Sequence, residues 1–212
     1  MNRRHRKAVI VCNGEHPSRT LLSRVAGSRS LLIVVDGAAN SFPRSFRKPN
    51  VIIGDLDSIS RAARKRFSTS RIVRVGRQDN TDLEKALDYC VHEGVGEIAI
   101  LGATGKRIDH TLGNLCVVWK YTKVLRVSMQ GDEWSAFFVE RHFDYKAPRG
   151  TTVSLIPYSR SEGITLRGLK YPLKNAQMGH GEIGVSNVVV KSPFGVKLRR
   201  GRMLVLVMKN VK

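Results

Sequence analysis

Short apolar runs recur along the first half of the chain: Ala8–Cys12, Leu31–Val35, Val51–Gly54, Arg71–Val75 and Glu97–Leu101. They are too brief for buried helices and rich in β-branched residues, the pattern of strands covered on both faces. Helical spacing fills the gaps. Residues from about Pro17 to Ala26 predict a polar helix, and Arg61–Arg66 a helix face turned to solvent. Thr81-Asp82-Leu83-Glu84 fits a capping box, and Leu83, Ala86, Leu87, Cys90 and Val91 form one stripe that stops at Gly94. A second stripe, Ile108, Leu112, Leu115 and Trp119, predicts a helix after the fifth strand. Strands alternating with helices up to Trp119 imply a Rossmann-like α/β domain built on a parallel sheet.

Beyond Trp119 the period changes. Val124–Met129, Trp134–Glu140, Thr151–Ile156, Gly163–Leu166, Val185–Val190 and Met203–Met208 are strand-like runs separated by Gly, Pro or Asp turns, with no helical stretch between them. They predict a small antiparallel β-sandwich in which Met203–Met208, apolar on both faces, is a central strand. The expected division is an α/β domain over 1–125 and a sandwich over 126–212, with no repeat, low-complexity tract or long linker.

The polar residues that break this pattern carry the candidate chemistry. Asp36 closes Leu31–Val35, and Asp55 follows Val51–Ile53 with Asp57 two residues on. In an open α/β sheet the strand carboxyl ends border the ligand crevice, so these acids and Asp82, in the first turn of the capped helix, are expected to meet. Crowded carboxylates repel unless a cation sits among them, and hard oxygen donors select Mg²⁺ or Ca²⁺ over Zn²⁺. Magnesium carrying a nucleotide phosphate is the natural occupant. Small residues, Gly37-Ala38-Ala39, let a ligand approach the backbone behind Asp36. The fifth strand runs into Gly102-Ala103-Thr104-Gly105-Lys106-Arg107-Ile108-Asp109-His110, where glycines, a hydroxyl and cations precede a helix and suit a phosphate. This is not a Walker motif, because the GxxxxGK[ST] spacing is absent.

Charge and cysteine usage narrow the setting. The 212 residues carry 37 Lys and Arg against 17 Asp and Glu, a formal charge of +20. That balance raises a polyanionic partner, and a positive surface around an acidic cleft would steer an anionic nucleotide inward. The basic residues form no long pure run and lack interleaved aromatics, so nucleic acid is not the expected partner. Cys12, Cys90 and Cys116 show no CxxC pairing and read as buried free thiols in a reducing compartment. The basic start is followed by an apolar run too short for a signal-peptide core, and no run approaches the roughly 20 residues needed to span a bilayer. A cytoplasmic protein without a membrane segment is expected.

Taken in order, Asp36-Gly37-Ala38-Ala39-Asn40, Gly54-Asp55-Leu56-Asp57-Ser58, Gln78-Asp79-Asn80-Thr81-Asp82, Thr104-Gly105-Lys106-Arg107-Ile108-Asp109-His110, Gly168–Leu173 and Gly184-Val185-Ser186-Asn187 closely resemble the thiamine pyrophosphokinase family, nearly end to end. The resemblance implies transfer of diphosphate from ATP to the hydroxyethyl group of thiamine, with release of AMP. It implies Asp36, Asp55, Asp57 and Asp82 as the acidic Mg²⁺-ATP site, where catalysis and metal binding meet. Phosphate contacts are implied for Arg107 and the turn before it, within the stretch that contributes Gly102, Thr104, Gly105, Lys106, Asp109 and His110. Gln78, Ser186 and Asn187 are implied at thiamine, in a homodimer whose sites lie at the subunit interface and draw on both domains. Three residues depart from the family pattern: Ala38 and Lys106 replace glycines, and Val188 replaces an acid. Two alternatives stay open on sequence: diphosphate transfer to another hydroxymethyl heterocycle such as a pterin, and a basic nucleic-acid-binding protein.

Overall fold

The early apolar runs become parallel strands. The computed structural model describes residues 7–76, 79–179, 181–182 and 184–209, and its chain divides into two units, 1–132 and 133–212. In the first unit β1 (Lys7–Val11), β2 (Leu31–Val35), β3 (Val51–Gly54), β4 (Arg71–Arg74), β5 (Glu97–Leu101) and β6 (Arg126–Gln130) pair in the order β6-β5-β1-β2-β3-β4, all parallel. β2 and β3 are buried along their whole length, whereas β4 is a mostly exposed edge with Arg71 and Arg74 at its ends. Charged edges of this kind discourage pairing with a stray strand.

The helices are α1 (Arg19–Val25), α2 (Ala38–Ser41), α3 (Arg61–Arg66), α4 (Asp82–His92) and α5 (Ile108–Tyr121). Ser18, Ser60 and Thr81 each accept a hydrogen bond from a backbone N–H in the helix that follows, which fixes where α1, α3 and α4 begin. α4 packs on β1, β2 and β3 through Leu83, Ala86, Leu87 and Cys90. Among the described residues no helix is long and apolar enough to cross a membrane.

The second unit holds two antiparallel sheets. β7 (Trp134–Val139), β14 (Met203–Met208), β9 (Thr152–Pro157) and β12 (Gly184–Val188) form one; β8 (His142–Tyr145), β13 (Phe194–Lys197), β10 (Ser161–Arg167) and β11 (Ala176–Met178) form the other. Their inner faces share a core that includes Val153, Leu155, Ile164, Phe194, Val196 and Val205. β14 pairs with both β7 and β9, the central position its two apolar faces foretold.

Two expectations need correcting. Val124–Met129, expected to open the sandwich, instead gives β6 paired parallel with β5, and the unit boundary falls after Asp132 rather than after residue 125. An apolar alternation marks a strand without saying which sheet it joins. The strands β8, β11 and β13 were not anticipated; they are three or four residues long, and β13 carries a glycine.

Candidate active site

Strand order alone creates a crevice in the first unit. β1 hands the chain to β2 on one side, while β5 returns to pair with β1 on the other. Ligands bind at such a switch point, outside the carboxyl ends of the strands. A cleft of about 550 Å³ opens there, lined among others by Asn13 after β1, Asp36 after β2, Asp55 after β3, Asp82 and Lys85 of α4, and Lys106 after β5.

The loops after β1 and β5 lie against each other. Gly14 N donates to Gly102 O at 2.8 Å and Glu15 N to Thr104 O at 2.6 Å. Gly102 sits at φ +64, and a Cβ there would meet Cys12 O at 2.6 Å, so this position requires glycine. Lys106, a non-glycine at φ +56, is anchored by its amine to Asn13 O at 3.0 Å and Asn13 Oδ1 at 3.3 Å. Cys12 also lines the cleft, but burial, reinforced by Asp82, pushes its thiol up to about 12. It is a neutral wall rather than a nucleophile.

Three of the four predicted acids gather closely. One carboxylate oxygen from each of Asp36, Asp55 and Asp57 lies within 4.8 Å of the other two. Ser58 N donates to Asp36 Oδ2 at 3.3 Å, Asp57 N to Asp55 Oδ1 at 3.2 Å, and Ser58 Oγ to Asp57 Oδ1 at 2.9 Å. Asn40 holds the whole turn from behind: its Nδ2 donates to Ser58 O and its Oδ1 accepts from Ser60 N, both at 2.8 Å. Asp82 is near as well, since a Cβ on Gly54 would fall 3.2 Å from Asp82 Oδ1 and 2.7 Å from Asp36 Cβ. It is turned towards Lys85, whose amine donates to Asp82 Oδ1 at 2.9 Å and lies 3.8 Å from Asp55 Oδ2.

The arrangement fits a hard cation. Among the described residues, Asp36 Oδ1 and Asn80 Oδ1 are buried acceptors with no hydrogen-bond partner, and both residues line the cleft. Orphan acceptors beside clustered carboxylates are what an oxygen-binding cation satisfies. Burial, and next the charge of Asp82, raise Asp36 above the ordinary carboxylate value; Asp57, bonded first by Ser58, is held below it.

The Asp36 shift has a direction that can be measured. The folded chain holds this proton more tightly than the unfolded one, so the contribution favours folding below the unfolded-chain value and is lost as pH rises through the folded-state value. In EDTA the melting temperature is expected to carry a downward component across the upper carboxylate range, and Asp36→Asn to abolish it. An unchanged profile in that variant would show that Asp36 is not the strained acid.

Most of the residues expected at phosphate border the same cleft. Gly105, Lys106, Arg107 and His110 line the cleft, and Gly102 and Thr104 form the backbone seam beneath. Arg107 reaches over to Asp109 in a two-pronged ion pair, with Nε to Oδ1 at 3.1 Å, which pulls Asp109 down to about 2. Both side chains are exposed, so the pair is weak and open to an anion.

Ser186 and Asn187 lie on β12 of the second unit. Ser186 has φ +60 and its N–H meets Ser154 Oγ at 3.2 Å. Asn187 is buried, its amide spent on the backbone of Tyr171 and Val188. Gln78 lies outside the described residues. Lys85 was missed by sequence reasoning. The available signal was its place three residues after Asp82 in the first turn of α4.

Comparisons with known proteins point to one family. A sequence model described as thiamin pyrophosphokinase, catalytic domain, matches residues 22–129, and one described as thiamin pyrophosphokinase, vitamin B1 binding domain, matches 140–203. Thiamine pyrophosphokinase 1 of Oryza sativa subsp. japonica is 32% identical over 158 residues, covering 67% of this chain and 60% of that protein. The chain thus spans less than two thirds of that relative. Thiamine pyrophosphokinase of Bacillus subtilis (strain 168) is 30% identical over 166 residues, 74% of this chain and 78% of its own. A crystal structure of thiamine pyrophosphokinase from Bacillus subtilis superposes with a TM-score of 0.87 at 25% identity, covering 97% of this chain and all of that one. With both family models matched in order and the fold shared throughout, the chain belongs to the thiamin pyrophosphokinase family, enzymes that transfer pyrophosphate from ATP to thiamine.

Proposed function

We propose that this chain binds ATP with a magnesium ion in the acidic cleft and transfers its terminal diphosphate to the hydroxyl of thiamine, releasing AMP. The observation that carries this reading is the convergence of three carboxylates within 4.8 Å, two orphan acceptors and a cation-bearing glycine turn on one cleft. Asp36, Asp55, Asp57 and Asp82 would hold the ion. Bound there, it supplies charge neutralisation on the phosphate oxygens.

The rest of the work falls to side chains that position. Lys106 and Arg107 face the phosphates, while Gly102, Thr104 and Gly105 shape the turn, and Asp109 keeps Arg107 oriented until an anion claims it. Asn114, bonded to Ala103 O at 2.7 Å, ties α5 to the same turn beside His110. Gln78, Ser186 and Asn187 are assigned to thiamine, with Asn187 also shaping β12 through Tyr171. Attack by the hydroxyl in line with the departing AMP requires orientation more than covalent chemistry. The nucleic-acid alternative gains no support from the family models.

The protein works as a homodimer in this reading. Ile108 and Leu112, 73% and 57% exposed, open the apolar stripe of α5. A second copy would cover that face, next to His110 at the cleft. Leu112→Asp is expected to shift sedimentation from dimer to monomer; an unchanged dimer would move the interface elsewhere. Cys12 and Cys90 are buried free thiols as expected, whereas Cys116 is exposed; three free thiols favour a reducing, cytoplasmic setting.

The test is an incubation with ATP, Mg²⁺ and thiamine, compared with pterin alcohols as acceptors. Thiamine diphosphate and AMP are expected in equal amounts. AMP formed without the diphosphate ester, or preference for another alcohol, would overturn the assignment.

A further inference from the structure

Lys85 is a lysine in an unusual place. Its side chain is 3% exposed, yet it lines the cleft and its amine touches two of the four acids. A buried ammonium persists only when paired, and here the pairing is with residues assigned to a different cation. Asp82 shows the effect: it is absent from the close group formed by Asp36, Asp55 and Asp57 and instead meets Lys85 at 2.9 Å. Asp36 and Asp57 have backbone and hydroxyl donors but no ammonium among their described partners.

We propose that Lys85 is the resident counter-ion of the cleft: it competes with an incoming divalent cation for Asp55 and Asp82, then turns its charge to the nucleotide's phosphates. This rests on the magnesium-nucleotide reading above. A lysine suits the role because its compact charge rides on a flexible stem and can exchange partners. Before ligand arrives, the amine neutralises part of a cluster that would otherwise repel itself. A divalent ion at the three oxygens meets like charge from Lys85, so the ion alone is held weakly. Polyphosphate supplies the anion that makes both cations welcome, so ion and nucleotide bind together better than either does separately.

The test measures two affinities whose changes are opposite in sign. In Lys85→Met, Mg²⁺ alone is expected to bind about tenfold tighter by titration calorimetry, because its competitor is gone. The same variant is expected to bind Mg²⁺ with a non-hydrolysable ATP analogue about tenfold more weakly. Lys85→Arg keeps the charge and is expected to retain the wild-type order. A merely structural lysine predicts that both affinities fall together with the melting temperature, and that result, or no change in either, would overturn the proposal. Should Lys85→Met fail to fold, the lysine ¹⁵N signal of the wild-type amine is read instead: it is expected to move on adding Mg²⁺ and again on adding the analogue, and a stationary signal overturns the idea. Failure of the wild-type protein to bind Mg²⁺ with the analogue would instead reject the underlying site assignment.

Discussion

Asp57→Asn is expected to lower kcat/KM by roughly a hundred- to a thousandfold, about 3–4 kcal/mol of lost transition-state stabilisation, while leaving the fold intact. The side chain is exposed and its partners are local, Ser58 Oγ at 2.9 Å and the neighbouring acids, so no packing is lost. The asparagine keeps the shape and can still accept from Ser58, but it removes one of the three charges that converge within 4.8 Å. Self-repulsion falls by the same step. In EDTA the variant is expected to melt near wild type, the relief of repulsion offsetting the weakened hydrogen bond from Ser58, and to gain less from added Mg²⁺. Near-normal turnover, or an unchanged response to Mg²⁺, would show that these acids do not hold the ion.

Gly14→Ala should fail by a different route. A Cβ at residue 14 would lie 2.2 Å from Thr104 O and 2.4 Å from Gly102 O, both backbone atoms that cannot swing aside. The two loops must separate, which breaks the N–H bonds from Gly14 and Glu15 and widens the cleft floor. A loss of about 3 kcal/mol is expected, or roughly 6–12 °C in melting temperature for a chain of this size. Gly27→Ala is the matched control, since nothing lies within 4 Å of its added methyl and its φ is ordinary. Equal melting temperatures for the two variants would refute the close approach.

How much of this was legible in the sequence depended on whether one residue's own neighbours decided its fate. Asp36 and Asp55 could be placed because each ends an apolar run, and strand ends in such a sheet point one way. The capping box at Thr81 placed Asp82 for the same local reason. Lys85 was hidden, because on an amphipathic helix a lysine reads as solvent-facing and only the packing of α4 on β1–β3 reveals otherwise. The stripe on α5 announced the helix that forms there, but periodicity says that a face is apolar without saying what covers it. Val124–Met129 failed likewise: its alternation fits either sheet, and parallel pairing with β5 is a non-local choice. The bonds between the Asn187 amide and Tyr171, a partner 16 residues away, were equally hidden, because no local pattern pairs the two.

The bracket formed by Asn40 bears on how the cleft meets its ligands. One carboxamide holds Ser58 and Ser60 at once, so the turn bearing Asp55 and Asp57 is already fixed when the chain has folded. Its conformational freedom is surrendered during folding rather than during recognition. At this turn an arriving ion should meet carboxylates already in place, as a key meets a finished lock, so the turn itself adds little entropic cost.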